Sequence, residues 1–165
     1  MKTILLIIQI LIFTISNVTY SQKLNVTSDY SGHYILNDKN KNRNGTIMIY
    51  VESDSTLLFY LELNSGKPSY NMGNLYGRIN IKNTVGEYLE NSLSIQNQCK
   101  LLFEFSNNQL TINYSENKND CGFGHSVYAN GTYKLKTIIS TNYFQDLEGR
   151  KVFFKETSPE DYYKN

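Results

Sequence analysis

The period of two in its apolar residues is what most constrains the fold of this 165-residue chain. Phe59, Leu61 and Leu63 fall on one face of an extended segment, while Tyr60 and Glu62 fall on the other. Ile79 and Ile81 alternate in the same way with Arg78, Asn80 and Lys82, and Cys99, Leu101, Phe103 and Phe105 with Lys100, Leu102 and Glu104. A helix would scatter these residues around its circumference, whereas a strand gathers them on one side. One face is therefore core and the other largely wet, a division that antiparallel sheets tolerate and doubly covered parallel sheets do not.

Short apolar runs separated by Gly, Asn, Asp and Ser predict strands at Gly32 to Leu36, Thr46 to Glu52, Thr56 to Leu63 and Tyr76 to Lys82, then Glu87 to Leu93, Cys99 to Phe105, Gln109 to Tyr114 and Val127 to Lys136. Ser53-Asp54-Ser55 and Ser106-Asn107-Asn108-Gln109 read as tight hairpin connections. About eight consecutive strands with hairpin links predict an all-β domain, an antiparallel up-and-down barrel or a closely related sandwich, spanning residues 31–136. No helix of ordinary length fits before residue 137. The remainder, 137–165, reads as a short C-terminal hairpin and helix packed on the barrel. Its hairpin pairs Tyr143 to Asp146 with Arg150 to Lys155 across Leu147-Glu148-Gly149. Ser158 at N-cap, Pro159 at N1 and acids in the first turn predict a helix from Pro159 to Lys164, which either plugs one end of the barrel through Tyr162 or Tyr163 or frays.

The first residues have a different character. Lys2, an apolar stretch from Ile4 to Phe13 broken only by Gln9, and small residues at Thr19 and Ser21 read as a signal peptide over 1–21, cleaved before Gln22. Roughly ten apolar residues are too few to cross a ~30 Å hydrocarbon core, so no membrane span is expected after cleavage. No cysteine follows the apolar stretch to carry a lipid. A flexible segment, 22–30, then leads into the barrel, and the expected location is secreted or periplasmic. Loss of Lys2 takes the formal charge from +1 to zero. With cations and anions interspersed, the surface offers no electrostatic attraction for nucleic acid. Tyr (14) and Phe (8) are abundant while Trp is absent, which favours strands. Asn-x-Ser/Thr recurs at Asn25, Asn44, Asn113 and Asn130, as chance sequons in an Asn-rich chain or as glycan acceptors if the source is eukaryotic.

Cys99 and Cys121, an even pair in an exported chain, predict one disulfide. The competing arrangement, both thiols with His33 and His125 around a metal, lacks zinc-ligand spacing.

Cys99-Lys-Leu-Leu-Phe-Glu-Phe, Leu110-Thr-Ile and Cys121-Gly-Phe-Gly-His-Ser-Val-Tyr-Ala-Asn-Gly-Thr-Tyr133 together resemble a group of small exported bacterial β-barrel proteins. In that group a cysteine-bearing strand is followed by Cys-Gly-x-Gly and a closing Gly-x-Tyr strand, and Ser31-Gly-His-Tyr34 is similar to the first strand. The likeness covers roughly residues 31 to 136. More distantly the chain resembles periplasmic lysozyme inhibitors, compact barrels that present a Ser/Gly-rich loop with a basic residue to the lysozyme cleft. That likeness implies Gly122, Phe123, Gly124, His125, Ser126 and Tyr128 as the binding loop, although the Ser-Gly-x-Gly start and the downstream Lys-Gly element are missing.

From the residues alone, the same loop is read two ways. Two glycines around Phe123 permit positive φ and close backbone approach, as a tight corner after a disulfide or a ligand-facing loop requires. His33 and His125 are expected to be exposed or locally bonded. Asp38, Asn40 and Asn42 alternate as in a calcium loop, but Arg43 stands in the glycine position and Ile49 where a bidentate acid belongs. Glu52 with Asp54, and Glu87 with Glu90, are close in sequence yet show no apolar pocket to raise one pKa. No nucleophile elbow, zinc helix or phosphate loop is present. These observations predict no enzyme, no cofactor and no metal. They predict a binding module of the cell envelope whose partner is an unknown protein or, in a hollow lipocalin-like barrel, a small apolar ligand, the remaining alternative being a structural envelope protein.

Overall fold

The alternating runs become, among the described residues, β1 (Gly32–Asp38), β2 (Arg43–Val51), β3 (Thr56–Ser65), β4 (Met72–Lys82), β5 (Val85–Leu89), β6 (Lys100–Ser106), β7 (Gln109–Tyr114), β8 (Gly131–Thr137), β9 (Tyr143–Gln145), β10 (Lys151–Phe153) and α1 (Pro159–Tyr162). The structure is a computed structural model and describes residues 30–90, 98–115, 121–138 and 141–164. The expected signal peptide, nearly all of the 22–30 segment and the end of the predicted strand Glu87 to Leu93 lie outside the described residues.

β1 through β8 form a closed antiparallel barrel in chain order, with β1 returning to β8 through Tyr34↔Leu135 and Ile35↔Lys134. Closure removes the outer edges that an open sheet would expose. The pleat sends Ile47, Ile49, Phe59, Leu61, Leu101, Phe103 and Ile112 inward, all of them fully buried. Each such side chain contributes about 1.5–3 kcal/mol relative to exposure. Phe59 and Phe103 meet at 5.1 Å between ring centroids, and Phe59, Leu61, Leu101, Phe103 and Ile112 belong to one packed cluster. Side chains thus fill the axis at this level.

The two ends differ. Tight turns close the first: Asn83 (φ 57°) and Asn108 (φ 63°) take the left-handed region that Asn tolerates, completing the hairpins Lys82↔Val85 and Ser106↔Gln109. Tyr30 stacks on Phe105 there, 4.4 Å between centroids. The second end carries the longer connections β1–β2, β3–β4, β5–β6 and β7–β8, and with them the disulfide.

Several boundaries move. β4 starts at Met72 rather than Tyr76, because β3 runs on to Ser65 and offers partners back to Asn64↔Met72. β5 begins at Val85, immediately after a two-residue turn, and ends at Leu89. β8 starts at Gly131 rather than Val127: its ladder with β7 reaches only Ile112↔Gly131, and the preceding residues fold across the barrel end. The helix stops at Tyr162, with Ser158 Oγ accepting from Asp161 N–H as the sequence predicts. The tail does not plug an end of the barrel. It lies on the outer face of β2, β3 and β4, where Leu58, Tyr60 and Tyr76 form a second apolar cluster with Phe144, Val152 and Phe154. The outer face, expected to be wet, is therefore dry around Leu58, Tyr60 and Tyr76, while Asn80 and Lys82 remain exposed.

Candidate functional site

The loop-bearing end is built around Cys121–Cys99, an S–S bond of 2.00 Å with Cα atoms 4.6 Å apart. Cys99 is buried at the base of β6, so the bond anchors the chain before β8 to the core. Gly122 follows with φ +69°, a left-handed conformation costly for other residues. Phe123 then turns inward over Gly73, whose missing side chain leaves the room: a Cβ there would lie 2.7 Å from the Phe123 ring. Gly124 donates its N–H to the Met72 carbonyl at 3.1 Å, so close that a Cβ would stand 2.9 Å from that oxygen. Val127 and Ala129 are buried, and Ala129 is fixed at both peptide groups, by the Tyr114 hydroxyl at 3.0 Å and the Tyr133 hydroxyl at 2.7 Å.

Of the six loop residues singled out from sequence, Phe123 and Gly124 therefore make the corner, with Gly122 setting its direction. His125, Ser126 and Tyr128 point outward. The His125 carbonyl accepts from Asn71 Nδ2 at 2.7 Å, which ties this segment to the β3–β4 connection. That connection presents Tyr70, 57% exposed, and leads into Met72 at 43%, while Tyr128 is 53% exposed. Asn42 secures it from behind, accepting from Gly66 N–H at 2.6 Å and donating to Lys67 O at 3.1 Å. The result is a rim of Tyr70, Met72, His125, Ser126 and Tyr128 on a hydrogen-bonded frame. Sequence alone singled out His125, Ser126 and Tyr128; Tyr70 and Met72 fell in what looked like an ordinary connection.

Below the rim, the barrel wall splits. β4 pairs with β3 over nine residues but with β5 only from Asn80 to Lys82. The gap opens into a cleft of about 900 Å³ lined by Asn74, Tyr76, Arg78 and Asn80 on one side, by Tyr88, Leu89, Glu90 and Cys99 on the other, and by Gly122 and Pro159, Glu160 and Tyr163 at its margins. Arg78 accounts for its outer lip. Its Nε and Nη2 grip Glu52 at 2.7 and 2.9 Å and its Nη1 reaches Glu160 at 2.6 Å. The hydrogen bond from Arg78 holds the Glu52 carboxyl below its ordinary pKa against the opposing effect of burial. The Glu160 carboxyl is also held low, first by its own backbone N–H and then by Arg78. Carboxyls held ionised in this way are placed to fix charge, not to donate a proton. Deeper in, the buried Tyr88 hydroxyl donates to Glu90 Oε2 at 2.7 Å, and burial foremost raises the Tyr88 pKa. Neither the cleft nor Arg78's pairing with Glu160, 82 residues away, had a local signal in sequence.

The other sequence candidates are absorbed locally. Asp38 accepts from Lys41 N–H and Arg43 Nε, both at 3.2 Å, in a self-contained turn, and Arg43 also donates to Asn130 Oδ1. His33 and His125 stand on different elements, and among the described residues no three His, Cys, Asp or Glu side chains converge as metal ligands. No helix among the described residues is long and apolar enough to cross a membrane. Compared with known families, curated proteins and solved structures, the chain matches no family model, no curated protein and no solved structure.

Proposed function

We propose that this chain is an exported binding module of the bacterial cell envelope, without catalytic activity, that engages a protein partner through the rim at the loop-bearing end. The observation that carries this reading is the pairing of exposed Tyr70, Met72 and Tyr128 with a backbone already fixed by the Cys99–Cys121 bond and the Asn71–His125 and Gly124–Met72 hydrogen bonds. Aromatic side chains on a preorganised frame lose little entropy on association, and such residues dominate protein interfaces. The packing of Phe59, Leu61, Leu101, Phe103 and Ile112 along the barrel axis supports a surface partner over a ligand held at the axis.

The resemblance to periplasmic lysozyme inhibitors makes a lysozyme the first partner to test. The chain from Gln22 onward, added at micromolar dose, is expected to slow lysozyme-driven clearing of a peptidoglycan suspension. The double substitution His125→Ala with Tyr128→Ala is expected to relieve this at least about 10-fold, the size of an ordinary hot-spot loss. Unchanged clearing with animal-type, goose-type and bacterial lysozymes would remove lysozyme as the partner.

A further inference from the structure

The two edges of β4 are treated unequally. Toward β3 its ladder is continuous, while toward β5 it ends at Asn80↔Glu87. Among the described residues, the rest of that second edge is covered by single contacts. At the far end the Gly124 N–H takes the Met72 carbonyl. In the middle the Tyr163 hydroxyl accepts from the Tyr76 N–H at 2.9 Å and donates to the Tyr76 carbonyl at 3.2 Å. One residue of a neighbouring antiparallel strand makes the same pair of bonds. A side chain thus stands in for a missing strand. Asn74 and Arg78 share the parity of Tyr76, so their peptide groups point to the same side.

We propose that the β4 edge between Met72 and Asn80 receives an extended peptide bearing a basic side chain, the Tyr163 hydroxyl holding the place of the incoming strand. The gap is roughly 20 Å long, room for about six extended residues. An added strand would turn alternate side chains inward, against Leu75 and Tyr88, and the others outward to the lip and Leu89. There one guanidinium, Arg78, faces two carboxylates, Glu52 and Glu160, leaving one net negative charge for a basic residue to meet. Glu160 is 59% exposed in its side chain, so the charge is reachable, and Tyr163 is 54% exposed overall, so its ring has open space into which an incoming strand can displace it. Backbone pairing supplies affinity and the alternating pockets supply selectivity, as in other strand-addition sites. This site lies on the side of the barrel, and its occupancy does not depend on the rim binding a lysozyme.

The test uses a blocked seven-residue peptide of alternating Val and Thr with Lys at the central outward position, titrated into the ¹⁵N-labelled chain from Gln22 onward. Amide shifts are expected at Asn74, Tyr76 and Arg78. N-methylation of the two peptide nitrogens that face β4 is expected to weaken binding about 10-fold, the scale of lost backbone hydrogen bonds. Glu in place of Lys is expected to weaken it about 3-fold, the scale of one exposed charge contact. Tyr163→Phe, which keeps the ring and removes the competing hydroxyl, is expected to bind several-fold tighter, with unchanged amide positions along the β1–β8 ladder showing that the fold is intact. Absence of shifts at millimolar peptide, equal binding of the N-methylated peptide, or occupancy of the edge by a second copy of the chain in sedimentation would each overturn the proposal. Lysozyme inhibition measured on Tyr163→Phe separates this outcome from that of the rim.

Discussion

Tyr60 of the barrel wall and Phe144 of the tail lie face to face, their ring centroids 4.0 Å apart and their planes 9° from parallel. Tyr50 and Phe154 repeat the arrangement at 5.1 Å, so the tail is joined to the barrel by stacked aromatic pairs. Phe144 is fully buried and also touches Tyr76, Phe154 and Tyr162. Removing its ring leaves a cavity bounded by both units. Phe144→Ala is therefore expected to cost about 3–5 kcal/mol in urea unfolding, with the barrel and tail still melting in one transition. Separate transitions for near-UV and far-UV signals would show that the two units are not coupled.

The disulfide closes a loop of sequence separation 22 between the buried base of β6 and the corner before β8. Cys99→Ser and Cys121→Ser are each expected to lower stability by about 3 kcal/mol, the chain-entropy value for a loop of this length. Thermal melts with and without reductant check the origin of the loss: reductant should lower the wild-type midpoint to near that of the variants and leave the variants unmoved.

How much of this was legible in the sequence follows from the range of each interaction. Phe59, Leu61 and Leu63 announced β3 because period two is a local property, and the Asn pair at 107–108 announced its turn for the same reason. The start of β4 was hidden because Gly73 and Asn74 break the apolar rhythm, Gly73 being small to admit Phe123 from 50 positions later in the chain. Tyr60 was placed on the correct face of its strand, but periodicity says which side a residue takes and not what covers that side. The Cys-Gly-Phe-Gly segment was recognised as special, yet only the fold shows that its aromatic turns inward and its neighbours His125 and Tyr128 outward. Tyr76 and Tyr163 are 87 positions apart, and no local pattern could have joined them.

His33 gives a pH dependence with a defined sign. Its Nε2 is buried without a hydrogen-bond partner among the described residues, and burial first, then the positive charge of Lys136, lowers its pKa below the ordinary value near 6.5. In the unfolded chain the imidazole takes up a proton as pH falls through about 6.5, while in the folded chain it resists until lower pH. The unfolded state binds more protons in that window, so stability present above pH 6.5 declines as pH falls toward the depressed value and then levels off. His33→Gln cannot titrate and is expected to show a flatter profile between pH 7.5 and 5.5. Parallel urea titrations of the two proteins across that range give the comparison, and identical slopes would assign the decline to other groups.

Asp146 makes the last test, because it organises the tail from the inside. Its carboxylate, 1% exposed, accepts from Arg150 N at 2.8 Å, Glu148 N at 3.0 Å and Arg150 Nε at 2.8 Å, and Tyr162 Oη lies at 3.4 Å. Burial alone would raise its pKa, but the hydrogen bonds and charge of Arg150, with the Glu148 amide, outweigh it and the net shift is downward. A carboxyl depressed in the folded state stabilises above its unfolded pKa, near 3.9, and that contribution is lost as pH falls through the lower folded value. Asp146→Ala leaves the two backbone N–H groups without their acceptor and is expected to cost about 1–3 kcal/mol at neutral pH. Asp146→Asn retains one acceptor oxygen and should recover part of this loss. Because these bonds position Tyr162 at the end of α1, both substitutions should also speed exchange of the Tyr76 amide, which the neighbouring Tyr163 hydroxyl protects. Faster exchange at Tyr76 with the β1–β8 ladder unchanged would place the effect in the tail, whereas uniform acceleration would mean that Asp146 supports the whole barrel.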